Sequence, residues 1–325
     1  MFGKILDRIK KKNASSPEKN THSIDIVYLW CDLNDENFKK KKEECAKKYG
    51  VEYNADNDCR YINNDELKYS LRSLEKYAPW INNVFIVTDN QVPKWLNLNH
   101  PKIKIIDQNK ILPKNAVPTF NSNAIEHCIV NIPDLSEYFL YANDDMFFGL
   151  SVGPEFFLYE DKIICRYTRP VSSQDNSFYA YGIRNAKRLI LDKFGKNIGL
   201  SSHHNIDMYK RSDIIACQKV FADEIRKTIC SHFRHQNNIH RIIYTDFSVV
   251  KGNGILRQVD KKNIFLNTKD TMTLFSQSRK KEQKLKKYKP KLFCINDTEE
   301  TTNKNRRETR EFLESLFPEK SGFEE

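Results

Sequence analysis

Tyr138-Phe139-Leu140-Tyr141-Ala142 is a run of apolar side chains too short for a buried helix, and it ends in Asn143-Asp144-Asp145. A fully apolar segment of this length reads as a strand covered on both faces, which belongs to a mainly parallel sheet. In such sheets the ligand sits beyond the carboxyl ends of the strands. A carboxylate pair there repels an anionic ligand unless a divalent cation is shared between them. Asp144 and Asp145 are therefore candidate metal ligands, although the same residues also suit a plain turn or a helix cap.

The rest of the chain supplies the other strands and the helices between them. Ile24 to Trp30 reads as a first strand, followed by the polar turn Cys31 to Asp35. Val84 to Thr88 and Ile103 to Asp107 read as two more. A helix is expected from Asp65 to Tyr77, with Asn63 and Glu66 spaced like a capping box. Asn121 to Val130 reads as helical. This alternation predicts an α/β fold with a mainly parallel sheet flanked by helices. The second half is less regular. Phe156 to Tyr167 contains strand-like runs, Asn185 to Phe194 and Ile206 to Phe221 read as helices, Lys251 to Val259 as a short strand or loop, and Asn303 to Phe317 as an amphipathic helix. The expected organisation is a basic amphipathic segment over 1–22 and one catalytic domain over 23–325. That domain divides into a ligand-and-metal half, 23–150, and a more helical half, 151–325.

Composition narrows the function. Only 10 glycines occur in 325 residues, and no Gly-rich phosphate loop is present. The net charge of +11 suits an anionic partner: nucleic acid, anionic lipid, nucleotide-sugar or polyanionic glycan. It suits a Lys-rich proteome equally well. No nucleic-acid recognition motif is found. Eight cysteines without a Cys-x-x-Cys pair point to buried free thiols in a reducing compartment. No stretch approaches a membrane span. Met1 to Lys12, and Arg279 to Lys291, are basic enough to touch an anionic membrane surface, or to be solvated tails.

Outside the acidic pair, the residues suited to chemistry are few. Glu126 lies on the polar side of its helix, where a solvated carboxylate is the ordinary reading. One of His203 and His204 is a candidate acid/base or phosphate contact. Arg234 offers a guanidinium fork for a phosphate. Asn296-Asp297 ends a short apolar run and by itself marks only a strand end or turn.

Taken in order, these pieces resemble the Stealth family of sugar-1-phosphate transferases, which includes bacterial capsule polymerases. The resemblance rests on IDIVYLWCDLND (Ile24 to Asp35), on the stretch from Arg60 to Gly149 with NNDELKYSLRSLEKYAPW, PTFNSNAIE and NDDMFFG, on His204 with Arg234-His235 thirty residues beyond, and on KLFCINDTEE. It implies a Rossmann-like or GT-A-like nucleotide-sugar core and Mg²⁺ or Mn²⁺ on Asp144 and Asp145. A UDP-sugar donor and an oligo- or polysaccharide acceptor follow, with UMP as leaving group. It also implies His204 or Glu126 as the proton acceptor, Arg234 on the phosphate, and donor contacts from Trp30, Asp32, Asp35, Arg60 and Asn64. Asn296 and Asp297 would complete the site. The implied setting is the bacterial cytoplasm, at the inner membrane face, in capsule or surface-polysaccharide synthesis. The rivals are a metal-dependent glycosyltransferase releasing UDP and a basic nucleic-acid- or membrane-binding module.

Overall fold

The computed structural model describes residues 22–51, 58–259, 270–277 and 280–325. The basic N-terminal segment and its linker lie outside the described residues. The strands are β1 (Ile24–Leu29), β2 (Val84–Thr88), β3 (Ile103–Asp107), β4 (Tyr138–Asn143), β5 (Met146–Phe148), β6 (Leu158–Tyr159), β7 (Lys162–Tyr167), β8 (Asp207–Lys210), β9 (Gly254–Gln258), β10 (Thr271–Phe275) and β11 (Leu292–Asn296).

The main sheet has the order β3-β2-β1-β4-β8. Its first four strands are parallel and β8 closes the edge antiparallel. The apolar runs explain the middle of this order. All of β2 and nearly all of β1 and β4 are buried, as central parallel strands must be. The outer strand β3 alternates a buried Ile103 with an exposed Lys104, as an edge allows.

Three expectations are corrected. Ile206 to Phe221 is not one helix: Asp207–Lys210 is β8, and the helix begins at Arg211. Met208 and Tyr209 pack on β4, where the Phe139 and Tyr209 rings stack 5.8 Å apart, and this tertiary contact overrides the helical pattern. The second half also carries more sheet than expected, in the three-stranded arrangements β10-β11-β5 and β6-β7-β9. Finally, Asn63 does not cap the helix Glu66–Tyr77. Asp65 stands there at φ 65° with no side-chain cap, while Glu66 turns back to accept from the Asn64 backbone N–H at 2.6 Å.

The sheet is anchored at its foot by a buried acid. Asp25 is wholly buried in β1, yet its carboxylate accepts from Asn82 Nδ2 and Asn83 N, each at 2.9 Å, from Asn83 Nδ2 at 3.1 Å, and from Ser136 N at 2.7 Å. One side chain thereby fixes the entries to β2 and β4. Asp25→Ala leaves buried donors unpaired and is expected to cost about 3 kcal/mol in urea unfolding. A loss under about 1 kcal/mol would contradict this role.

The C-terminal part closes over the first half. Phe147 of β5 stacks on Phe293 of β11 with centroids 4.9 Å apart, and Phe317 joins the same cluster. Arg72 grips Glu324 through Nε at 2.7 Å and Nη2 at 2.8 Å, and donates to the Phe317 carbonyl at 2.6 Å. Gly149 lets β5 continue beneath Pro290, because a Cβ there would lie 2.4 Å from the Pro290 carbonyl oxygen.

Candidate active site

The Asn143-Asp144-Asp145 turn links β4 to β5 and is held from several sides. Tyr141 Oη lies 2.7 Å from Asn143 Oδ1. The Ile295 N–H donates to the Asp145 carbonyl at 3.0 Å, and Cys294 pairs with Met146 across the β11–β5 ladder. The turn thus opens at the carboxyl ends of the parallel strands, into a cleft of about 1240 Å³.

Charge is crowded at its floor. Glu66, Asp144 and Asp145 line the cleft together, with Asp297 close by. Burial, and then the neighbouring carboxylates, push Asp144 well above the ordinary range. Burial likewise raises Asp145 to about 6 and Glu66 to about 7. Asp145 Oδ1 is buried without a hydrogen-bond partner. Buried carboxylates sharing one cleft, one of them with an orphaned oxygen, have the oxygen chemistry that a hard divalent cation takes, so these residues are compatible with Mg²⁺ or Mn²⁺.

Cationic and basic groups face them. His204 lines the cleft, and burial followed by the positive charge of Arg241 depresses it to about 4, so the ring is neutral near neutral pH. Its neighbour His203 turns inward, with Nε2 2.6 Å from Asp207 Oδ1, which separates the roles of the adjacent pair. Arg234 lines the same wall and donates to Ser122 Oγ at 2.7 Å. Trp30, Arg60, Asn296 and Asp297 also line it. The Trp30 indole N–H is buried and unpartnered. Asp297 is held by Arg306 at 2.9 Å.

Four of the expected site residues do not line the cleft. Asp32 accepts from Asn34 and from Asn63 Nδ2, and Asp35 caps the helix Glu36–Tyr49. Asn64 donates to Glu66 Oε1 at 2.8 Å, so it supports a wall residue. Glu126 is buried behind the wall, where Oε1 lies 3.3 Å from Arg241 Nη1 and 3.0 Å from Tyr141 Oη. Arg241 also donates to Tyr209 Oη at 3.1 Å, and its guanidinium stands 4.3 Å from the Tyr141 ring centre. Burial opposes the Arg241 charge, but Glu126 holds its pKa well above the usual value. Sequence reasoning missed Glu66, Cys294 and Arg241 as neighbours of the site. The Asn64-x-Glu66 spacing was the available signal for the first, and His240-Arg241 ahead of an apolar helix was the signal for the last.

Fold and cleft define an α/β protein whose parallel strands open onto a cleft lined by acidic residues and by Arg60, Arg169 and Arg234. Residues 60–166 match the family model for Stealth protein CR2, conserved region 2, and residues 283–325 match Stealth protein CR4, conserved region 4. The chain belongs to the Stealth family. It is 38% identical over 236 residues to an exopolysaccharide phosphotransferase of Streptomyces coelicolor, covering 70% of this chain and 39% of that one. It is 29% identical to the capsular polysaccharide phosphotransferase fcs1 of Haemophilus influenzae, covering 90% and 83%. The chain thus spans well under half of the Streptomyces relative and most of the Haemophilus one. Among solved structures, the galactosyltransferase LgtC in complex with donor and acceptor sugar analogs aligns at 11% identity and a TM-score of 0.40, covering 90% of this chain and 96% of that one. Among the described residues, no helix is long and apolar enough to cross a membrane. None of the eight cysteines forms a disulfide.

Proposed function

We propose that the protein transfers a hexose- or N-acetylhexosamine-1-phosphate from a UDP-sugar to a sugar hydroxyl, forming a phosphodiester in surface-polysaccharide synthesis. The observation that carries this reading is the meeting, in one cleft, of an acid cluster suited to a cation with Arg234 and a neutral His204. The names of the relatives support it. Phosphoryl transfer needs charge neutralisation and alignment more than covalent help, and these side chains supply both.

The acceptor oxygen attacks the β-phosphorus, the bond from that phosphorus to the UMP oxygen breaks, and the anomeric C–O bond stays intact. His204 takes the hydroxyl proton, since it lines the cleft with a neutral ring whose Nε2 has no hydrogen-bond partner. Arg234 neutralises the transferring phosphate. Trp30 and Arg60 receive the nucleotide end, and Asn296 with Asp297 closes the site. Asp144, Asp145 and Glu66 would hold Mg²⁺ or Mn²⁺, which would neutralise the diphosphate. Glu126 orients rather than abstracts: with Arg241 and Tyr141 it sets the Asn143 turn. Contact of the basic segments with an anionic inner-membrane surface belongs to the same proposal.

The test is product analysis with UDP-N-acetylglucosamine and oligosaccharide acceptors. UMP release with a phosphodiester phosphorus signal is expected, and Arg234→Ala should lower kcat about 10³-fold. UDP release would instead establish glycosyl transfer and overturn the mechanism.

A further inference from the structure

Asp145 and His204 line the cleft from the β4–β5 turn and the loop before β8, and Cys294 of β11 lies buried behind them. A carboxylate oxygen, an imidazole nitrogen and the Cys294 sulfur all lie within 4.8 Å of one another. Two of these side chains carry buried atoms without hydrogen-bond partners, Asp145 Oδ1 and His204 Nε2. Their backbones are braced. Ile295 N–H donates to the Asp145 carbonyl, Thr273 Oγ1 donates to the His204 carbonyl at 3.2 Å, and Cys294 sits inside the β10-β11-β5 sheet.

We propose that Asp145, His204 and Cys294 form a mixed oxygen, nitrogen and sulfur site for a borderline-soft divalent cation of the zinc type, whose occupation blocks the cleft. Donor chemistry separates this trio from the all-oxygen set of Asp144, Asp145 and Glu66. Magnesium takes oxygen donors, whereas thiolate and imidazole favour zinc and its neighbours in the transition series. Bond lengths to zinc of roughly 2.0–2.3 Å place tetrahedral donors about 3.3–3.8 Å apart, so the trio needs only a small contraction. Three protein ligands leave a fourth position for water or a ligand oxygen. Binding expels the Cys294 proton and forms the sulfur–metal bond.

The inhibitory half of this proposal rests on the function proposed above. A bound zinc ion occupies the His204 nitrogen that would take the acceptor proton, and it withdraws Asp145 from the carboxylate set. Micromolar Zn²⁺ should then suppress turnover, with recovery on chelation but not on adding more Mg²⁺.

The binding half is tested without turnover. The metal-stripped full chain is titrated with Co²⁺ alone under a non-thiol reductant, and its absorption is recorded. One equivalent should produce a near-ultraviolet sulfur-to-cobalt charge-transfer band and intense visible bands of four-coordinate cobalt. Cys294→Ser should remove the charge-transfer band, and His204→Gln should weaken the visible bands. Glu66→Gln should keep both. In a parallel calorimetric titration, Zn²⁺ should bind Cys294→Ser at least tenfold more weakly than the unmodified chain. A thermal melt of Cys294→Ala confirms that loss of the sulfur, not of the fold, is being read. Absence of the charge-transfer band, its survival in Cys294→Ser, or its loss in Glu66→Gln would overturn the site. Zinc binding without inhibition would overturn only the blocking role, and leaves phosphotransfer to be judged by its products.

Discussion

Asp145→Asn is expected to make the metal-free protein more stable and the enzyme at least about 10³-fold slower. Both effects come from one cause. Burial raises all three carboxyl groups, Glu66, Asp144 and Asp145, and the Asp145 charge raises both Glu66 and Asp144 further. Removing one charge relieves that repulsion. The cluster is partly open to solvent, so the gain is about 1–2 kcal/mol rather than the full interior value. On the function proposed above, the same substitution removes a residue that would hold the cation. Thermal melts in chelator and in Mg²⁺, alongside UMP release, check the prediction together. The unmodified protein should be stabilised by Mg²⁺ and the variant should not. A variant that melts lower in chelator would show that the cluster is not repulsive.

Arg241→Met is expected to be the most destabilising single change near the site. Arg241 and Glu126 expose 7% and 4% of their side chains, and the pair lies among Tyr141 and Tyr209. Burial of two charges is tolerated because each satisfies the other. Removing the cation strands the Glu126 carboxylate, whose Oε2 already lacks a partner. The cost should be about 3–5 kcal/mol in urea unfolding. Adding Glu126→Gln to Arg241→Met should restore part of it, because a neutral amide is cheaper to bury than an unpaired anion. Without such recovery, the damage would come from lost packing rather than from charge. Turnover in the double variant should remain low, because Tyr141 Oη lies between Glu126 and the Asn143 turn.

The contrast between legible and hidden parts has a physical basis. β1, β2 and β4 could be read because each is a short apolar run between polar turns, as central parallel strands require, and the edge strand β3 because its apolar residues alternate with Lys104. Asp144 and Asp145 could be read because they follow such a run directly. β8 could not, since four residues of an edge strand running straight into a helix present no period of their own. Glu66 resembled a helix cap because it occupies a capping position in sequence, and only the left-handed Asp65 turns its carboxylate elsewhere. Arg241 was hidden for another reason. A buried cation shows in sequence only through its partner, and Glu126 stands 115 positions away.

The braces on the Asn143-Asp144-Asp145 turn come from residues far along the chain. Asp145 is fixed by an N–H that enters the chain only at Ile295, and Arg72 finds its carboxylates at Glu314 and Glu324. β4 leads into Asp144 and Asp145, but the contacts of β11 that hold that turn lie in another sheet. The floor of the cleft acquires its shape when β11 slots against β5. The acid-bearing turn therefore takes its shape from β11, about 150 residues beyond it, rather than from the strands that bear the acids.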